Sequence, residues 1–183
     1  MKKICVFGGS SPGNDPAFRD QAQRIGAMAA ARGLGIVFGG GRIGMMGAVS
    51  DAAFEGQGYV HGVIPEFLQT LEVASSNVSR LTVTQTMHER KTIMYAESDA
   101  FIALPGGFGT MEEILEIITC RQLKMHDKPI MLFNPDGFWD SLITMFHHAS
   151  EQGFLRPQHL NLLDTIESLD DIADFLDQIV QGD

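Results

Sequence analysis

The sequence predicts an α/β domain: a mostly parallel, doubly wound sheet with helices on both faces. Short apolar runs alternate with longer helical patterns from one end of the chain to the other. The 183 residues carry no internal repeat, linker or low-complexity stretch, so the reading is one domain over residues 1–183. Three of the apolar runs end in glycine (VFGGS, VFGGG and LPGGFG), which predicts three loops opening on the ligand-binding rim of one sheet.

Each element has a local reason. Lys3–Phe7 (KICVF) reads as a buried strand. Asp15 then caps a helix that has Pro16 in its first turn and stops at Gly33. Leu34–Phe38 is a second strand, followed by GGGRIGMMG and a helix through Ala53. Tyr59–Ile64 is a third strand, closed by Pro65, and residues 66–80 are irregular. Leu81–Thr84 is a short strand and Met87–Glu97 a helix. Ala100–Leu104 is a strand, followed by the glycine loop and a helix to about Leu123. Strand Pro129–Phe133, helix Phe138–Glu151, a short strand within 160–166 and an amphipathic helix Leu169–Val180 complete the chain.

Composition excludes some functions. A chain of this length buries roughly 70% of its unfolded surface, enough for a real core. The net charge of −10 argues against a nucleic-acid binder, which needs a basic face. It leaves room for a small anion held by a few local cations. Cys5 and Cys120 lack a CxxC partner and read as buried thiols of a reducing compartment. Only four apolar residues precede the first glycines, too few for a signal-peptide core, and no apolar run approaches ~18 residues. A cytoplasmic protein without membrane contact is the expectation.

The loop LPGGFGTMEE, residues 104–113, carries the strongest chemical signal. Its spacing is neither GxGxxG nor a Walker loop. Glycines 106, 107 and 109 nevertheless let backbone amides approach an anion at a helix N-terminus. A plain strand-to-helix turn explains them as well. Thr110 and Glu113 fit a capping box, and acids in a first turn favour the helix dipole, which accounts for Glu112 without function. Glu116 reads as a solvated face residue, with a pocket residue as the alternative.

In TMHERK, residues 86–91, Arg90 and Lys91 are either a phosphate grip or a surface pair balanced by Glu89. The glycines at 41, 44 and 47 fit both close helix packing and a second amide surface beside Arg42. The six histidines form no spaced metal motif. The ten methionines and twelve phenylalanines read as core or a subunit contact, and Trp139 as packing.

Taken together, PGGFGTMEE at 105–113 fits a PGGxGTxxE signature and MHERK at 87–91 an M-x-x-R-K segment. With VFGGSS at 6–11 and GGG-x-x-G-x-M-G at 39–47, the chain resembles the Lonely Guy (LOG) family over roughly residues 3–180. The resemblance implies a Rossmann-like homodimer that hydrolyses the N-glycosidic bond of AMP or N6-substituted AMP. A free adenine or cytokinin base and ribose 5-phosphate would leave.

By position, Arg90 and Glu113 correspond to the family's catalytic pair. Glu72, Lys91, Gly106, Gly107, Phe108, Gly109, Thr110, Met111, Glu112 and Thr119 fall where the family contacts its nucleotide, together with Arg90. No cofactor or metal is implied, because a departing purine delocalises its own charge.

Similar chains also carry a lysine decarboxylase label. That chemistry needs a buried Schiff-base lysine, and of five lysines only Lys91 lies in a candidate site. The alternative from another class is a carrier of a nucleotide-type cofactor such as molybdopterin, which would bind without turnover. Met87 and Met94 are candidates for the apolar wall around the base.

Overall fold

The computed structural model describes residues 1–69 and 74–182. Seven parallel strands form one sheet: β1 (Lys3–Phe7), β2 (Gly35–Phe38), β3 (Val60–Pro65), β4 (Arg80–Thr84), β5 (Ala100–Ala103), β6 (Ile130–Phe133) and β7 (Asp164–Ile166). Their order is β4-β3-β2-β1-β5-β6-β7. The chain winds outward from β1 to one edge, then returns to the other side of β1 and winds to the opposite edge. Val6 of β1 is in register with Phe38 of β2 and Ile102 of β5. The direction of winding reverses between β1 and β5, the point where such sheets leave a crevice beyond their carboxyl ends.

Six helices cover the faces: α1 (Pro16–Ala31), α2 (Gly44–Glu55), α3 (Met87–Ala96), α4 (Phe108–Gln122), α5 (Asp140–Glu151) and α6 (Leu169–Gln181). The strands' twofold alternation divides the core. Ile4, Val6, Ile36, Phe38 and Ile102 face α1, α2 and α6. Cys5, Phe7, Val37, Phe101 and Leu132 face α3, α4 and α5. Gly26 lets α1 lie directly on α2, since a Cβ there would overlap the Val49 carbonyl.

The expected cap and stop of α1 are present. The Asp15 side chain accepts from Ala17 N at 2.8 Å, and Gly33, at φ +69°, follows the end of α1. Ser168 and Asp171 form a capping box on α6.

Three expectations shift. The 160–166 segment is mostly a 3-10 turn, Pro157–Leu162, leaving only Asp164–Ile166 as strand. Helix α5 begins at Asp140 rather than Phe138, because Pro135–Gly137 form a tight turn that places Asp136 at φ +52°. Cys120 is half-buried, whereas Cys5 is fully buried. Among the described residues no helix is long and apolar enough to cross a membrane.

Candidate active site

The β1, β2 and β5 loops meet at the rim of the sheet, as their glycines predict. Gly8, Gly9, Gly39, Gly107 and Gly109 all line one cavity of about 230 Å³. Gly9 N donates to Pro105 O at 3.0 Å and Met45 N to Gly9 O at 2.9 Å, so the loops brace one another. Gly44 and Gly47 serve close packing, since a Cβ on Gly47 would overlap the Arg42 carbonyl. A Cβ on Gly44 would overlap the Ser10 backbone, and Arg42 is exposed on a separate cleft with Arg19 and Asp51.

Helix α4 enters the cavity amides first. Gly107 is its N-cap and makes no side-chain capping bond. Thr110 is therefore inside the first turn, and the Thr110–Glu113 capping box does not form. The same T-x-x-E pattern does form a box on α3, where Thr86 Oγ1 accepts from Glu89 N at 3.1 Å and Glu89 accepts from Thr86 N at 3.3 Å. Glu89 is thus committed to its own helix rather than to balancing Arg90 and Lys91. Both of those cations are buried, not on a surface.

Arg90 is fixed from three sides. Its Nε donates to Val63 O at 3.1 Å, and its Nη1 pairs with Glu113 Oε1 at 3.0 Å. Nη2 lies against Gly39, where a Cβ would overlap it. Both side chains of the pair are about nine-tenths buried, at 10% and 9% exposure. The fully buried Cys5 has its thiol pushed up by burial first and by the Glu113 charge second, so it stays protonated.

Glycines 107 and 109 differ from Gly106 in their surroundings. A Cβ on Gly106 would overlap Thr110 Oγ1, so the protein's own packing requires that glycine. Cβ atoms on Gly107 and Gly109 would meet nothing within 4 Å. The room beside them opens on the cavity, next to the amides that start α4. A cavity with free amides at one end and a carboxylate–guanidinium pair at the other suits a ligand that is anionic at one point and gains positive charge at another.

Of the residues singled out in the sequence, Arg90, Gly107, Phe108, Gly109, Thr110 and Glu113 line this cavity. Gly106 lines an adjoining apolar cavity with Phe18 and Phe138. Met111 is half-buried against the core. Lys91 pairs with Glu112 and Glu116 and faces away from the cavity. Burial would lower the Lys91 pKa, but hydrogen bonds to the two carboxylates outweigh it and hold it above its ordinary value. Thr119 is exposed and donates to Leu115 O at 2.7 Å. Glu72 lies outside the described residues.

Met87 lines the cavity, whereas Met94 is fully buried in the core. Met46, Ile43 and Leu68 line it too. Nothing in the sequence separates these three from ordinary core side chains; only the strand order brings them here. Among the described residues, no group of three or more His, Cys, Asp or Glu side chains could hold a metal.

Residues 46–176 match the family model described as "Possible lysine decarboxylase". The chain is 44% identical over 180 residues to the probable cytokinin riboside 5'-monophosphate phosphoribohydrolase LOGL3 of Oryza sativa subsp. japonica, covering 98% of this chain and 85% of that one. It is 42% identical over 180 residues to the cytokinin riboside 5'-monophosphate phosphoribohydrolase LOG1 of Arabidopsis thaliana, covering 98% and 84%.

The chain belongs to the LOG family.

Its fold is shared more widely. The molybdenum cofactor binding protein of Rippkaea orientalis superposes with a TM-score of 0.73 at 23% identity, over 98% of each chain. At that identity the likeness is one of fold. The decarboxylase wording of the family model finds no support in this LOG chain's site. A Schiff-base lysine must present a neutral amine, and Lys91 is held protonated between two carboxylates.

Proposed function

We propose that this protein hydrolyses the N-glycosidic bond of N6-substituted adenosine 5'-monophosphates, releasing a free base and ribose 5-phosphate. One observation carries the reading: Glu113 and Arg90, 3.0 Å apart, face the cavity into which the uncapped α4 amides open. The 5'-phosphate binds those amides. The ribose then lies over Glu113.

As the bond between C1' and the base nitrogen breaks, its electrons leave with the purine and C1' becomes positive. The Glu113 carboxylate stabilises that charge and takes a proton from the water that adds to C1'. The departing purine nitrogen takes up a proton from solvent, and Glu113 later returns its own to solvent. Arg90 does not serve as an ordinary proton donor, since its pKa exceeds ~12. It orients Glu113 and offsets charge on the departing base or phosphate. The apolar side chains of Ile43, Met46, Leu68 and Met87 form a wall suited to a purine with an apolar N6 group. The names of the relatives support the same substrate class.

The test is incubation with AMP and with isopentenyladenosine monophosphate, followed by separation of free base and ribose 5-phosphate. Release of base is expected. Glu113→Gln should lower kcat by on the order of 10²-fold or more while the protein stays folded. Binding without base release would favour the carrier reading instead.

We also propose that the protein works as a homodimer. Thr119 lies about 9 Å farther along α4 than Glu113 and on another face. It would reach a nucleotide only in a neighbouring copy's site. Leu123 and Met145, 63% and 56% exposed, and the apolar groove beside Thr119 between α4 and α5 offer a surface for that copy. Light scattering at micromolar concentration should give twice the chain mass; a monomer that turns over at full rate would rule the dimer out.

A further inference from the structure

Four side chains next to the catalytic pair have no part in the mechanism above. Lys91 pairs with both Glu112 and Glu116, and the Tyr95 hydroxyl donates to Glu116 Oε2 at 3.2 Å. None of the four lines the cavity. We propose that they form a positioning strap that locks α4 onto α3 and thereby sets the distance between Glu113 and Arg90. The proposal rests on the hydrolase reading for its kinetic test and on geometry alone for its structural one.

The helical period explains the arrangement. Arg90 and Lys91 are neighbours on α3, so they point about 100° apart. Glu112 and Glu113 are neighbours on α4 and diverge by the same amount. The two helices meet along both pairs of stripes. Arg90 meets Glu113 on the cavity side, and Lys91 meets Glu112 and Glu116 on the outer side. Tyr95 and Glu116, one turn on from Lys91 and Glu112, extend the outer row.

The strap is anchored in the sheet. The Tyr95 ring packs edge-on against Phe7 of β1 and Phe101 of β5, at centroid distances of 6.3 and 6.0 Å. Those strands flank the crevice. Without Lys91, α4 would present carboxylates at positions 112, 113 and 116 with Arg90 as their described ion-pair partner. Like charges at i and i+4, as at 112 and 116, weaken the helix that carries them. Lys91, its side chain only 8% exposed, bridges the outer two and offsets part of their charge, leaving Glu113 to Arg90.

A group that positions the pair without touching substrate should act on turnover and not on binding. Lys91→Met is expected to lower kcat on AMP by on the order of tenfold or more, with KM within about twofold, because small misplacements of a reacting group are costly. Glu116→Gln keeps an acceptor for Tyr95 and Lys91 and should retain most of the rate, whereas Glu116→Ala should not. Any other pattern overturns the proposal: KM rising alone, KM rising as far as kcat falls, or neither moving. Should Lys91→Met fail to fold, Glu116→Ala against Glu116→Gln decides by the same criteria.

The second readout needs no turnover. Crystal structures of the wild type and Glu116→Ala should show Arg90 Nη1 and Glu113 Oε1 farther apart in the variant. An unchanged separation overturns the strap. Absence of base release by the wild type would refute the hydrolase reading and leave this structural test standing.

Discussion

At the scale of single residues, the site is defined as much by side chains that are missing as by those present. Gly39 gives Arg90 Nη2 its place, and Gly106 gives Thr110 its place. Gly109 serves no such neighbour, although it stands in the first turn of α4. Alanine there would replace the poorest helix former but one with the best, which favours the fold by up to ~1 kcal/mol. The added methyl would project into the room beside the amides. Gly109→Ala should therefore raise the melting temperature and raise KM for the nucleotide several-fold. A stabilised variant with unchanged KM would show that the substrate does not approach these amides. From sequence alone the glycines at 106, 107 and 109 were equivalent. Their difference depends on what lies opposite each one, and that is a property of the packed loops.

At the scale of elements, strand and helix positions were legible because apolar runs and caps are local. The bounds of the Lys3–Phe7 strand, the Asp15-Pro16 start of α1 and the Gly33 stop all follow from the residues themselves. Which T-x-x-E sequence forms a capping box was not legible. Thr86 lies two residues past the end of β4 and immediately precedes α3, so it becomes the cap. Thr110 follows three glycines, at 106, 107 and 109, and α4 starts earlier, at Phe108 with Gly107 as cap. The cavity-facing position of Glu113 depends on that offset of three residues, because a Glu113 turned back to cap its own helix could not reach Arg90. Thr86→Ala should cost about 1 kcal/mol of stability, measured by denaturant unfolding, since it leaves the α3 amides unsatisfied. A loss below a few tenths of a kcal/mol would mean that the box contributes little and that buried Arg90 and Lys91 hold α3 in place by themselves.

At the scale of the whole molecule, the rim opposite the cavity holds a second charge cluster whose members are brought together only by the strand order. Glu97, at the end of α3, accepts from Lys3 Nζ at 2.7 Å and lies 3.1 Å from His61 Nδ1 and 3.2 Å from Arg80 Nη1. The start of β1, the start of β4 and buried His61 of β3 are thus tied to the helix that carries Arg90. The Lys3 hydrogen bond, followed by the charges of His61 and Lys3, holds the Glu97 carboxyl below its ordinary value of 4.5 against the opposing effect of burial. Burial holds His61 below its ordinary 6.5, more strongly than Glu97 raises it. Both shifts act in one direction. In each case the unfolded chain binds the proton more readily, so stability is complete at neutral pH and declines on acidification. The decline begins as pH falls through 6.5, where unfolded histidine starts to protonate, and steepens below 4.5, where unfolded glutamate does. Melting temperature measured from pH 8 to pH 4 should show both stages. Glu97→Gln should melt lower than the wild type at pH 7, and its curve should flatten in the lower stage, where the carboxylate is no longer there to protonate. Parallel curves for the two proteins would mean that Glu97 adds nothing to the pH dependence and that the tie across this rim is too weak to hold α3.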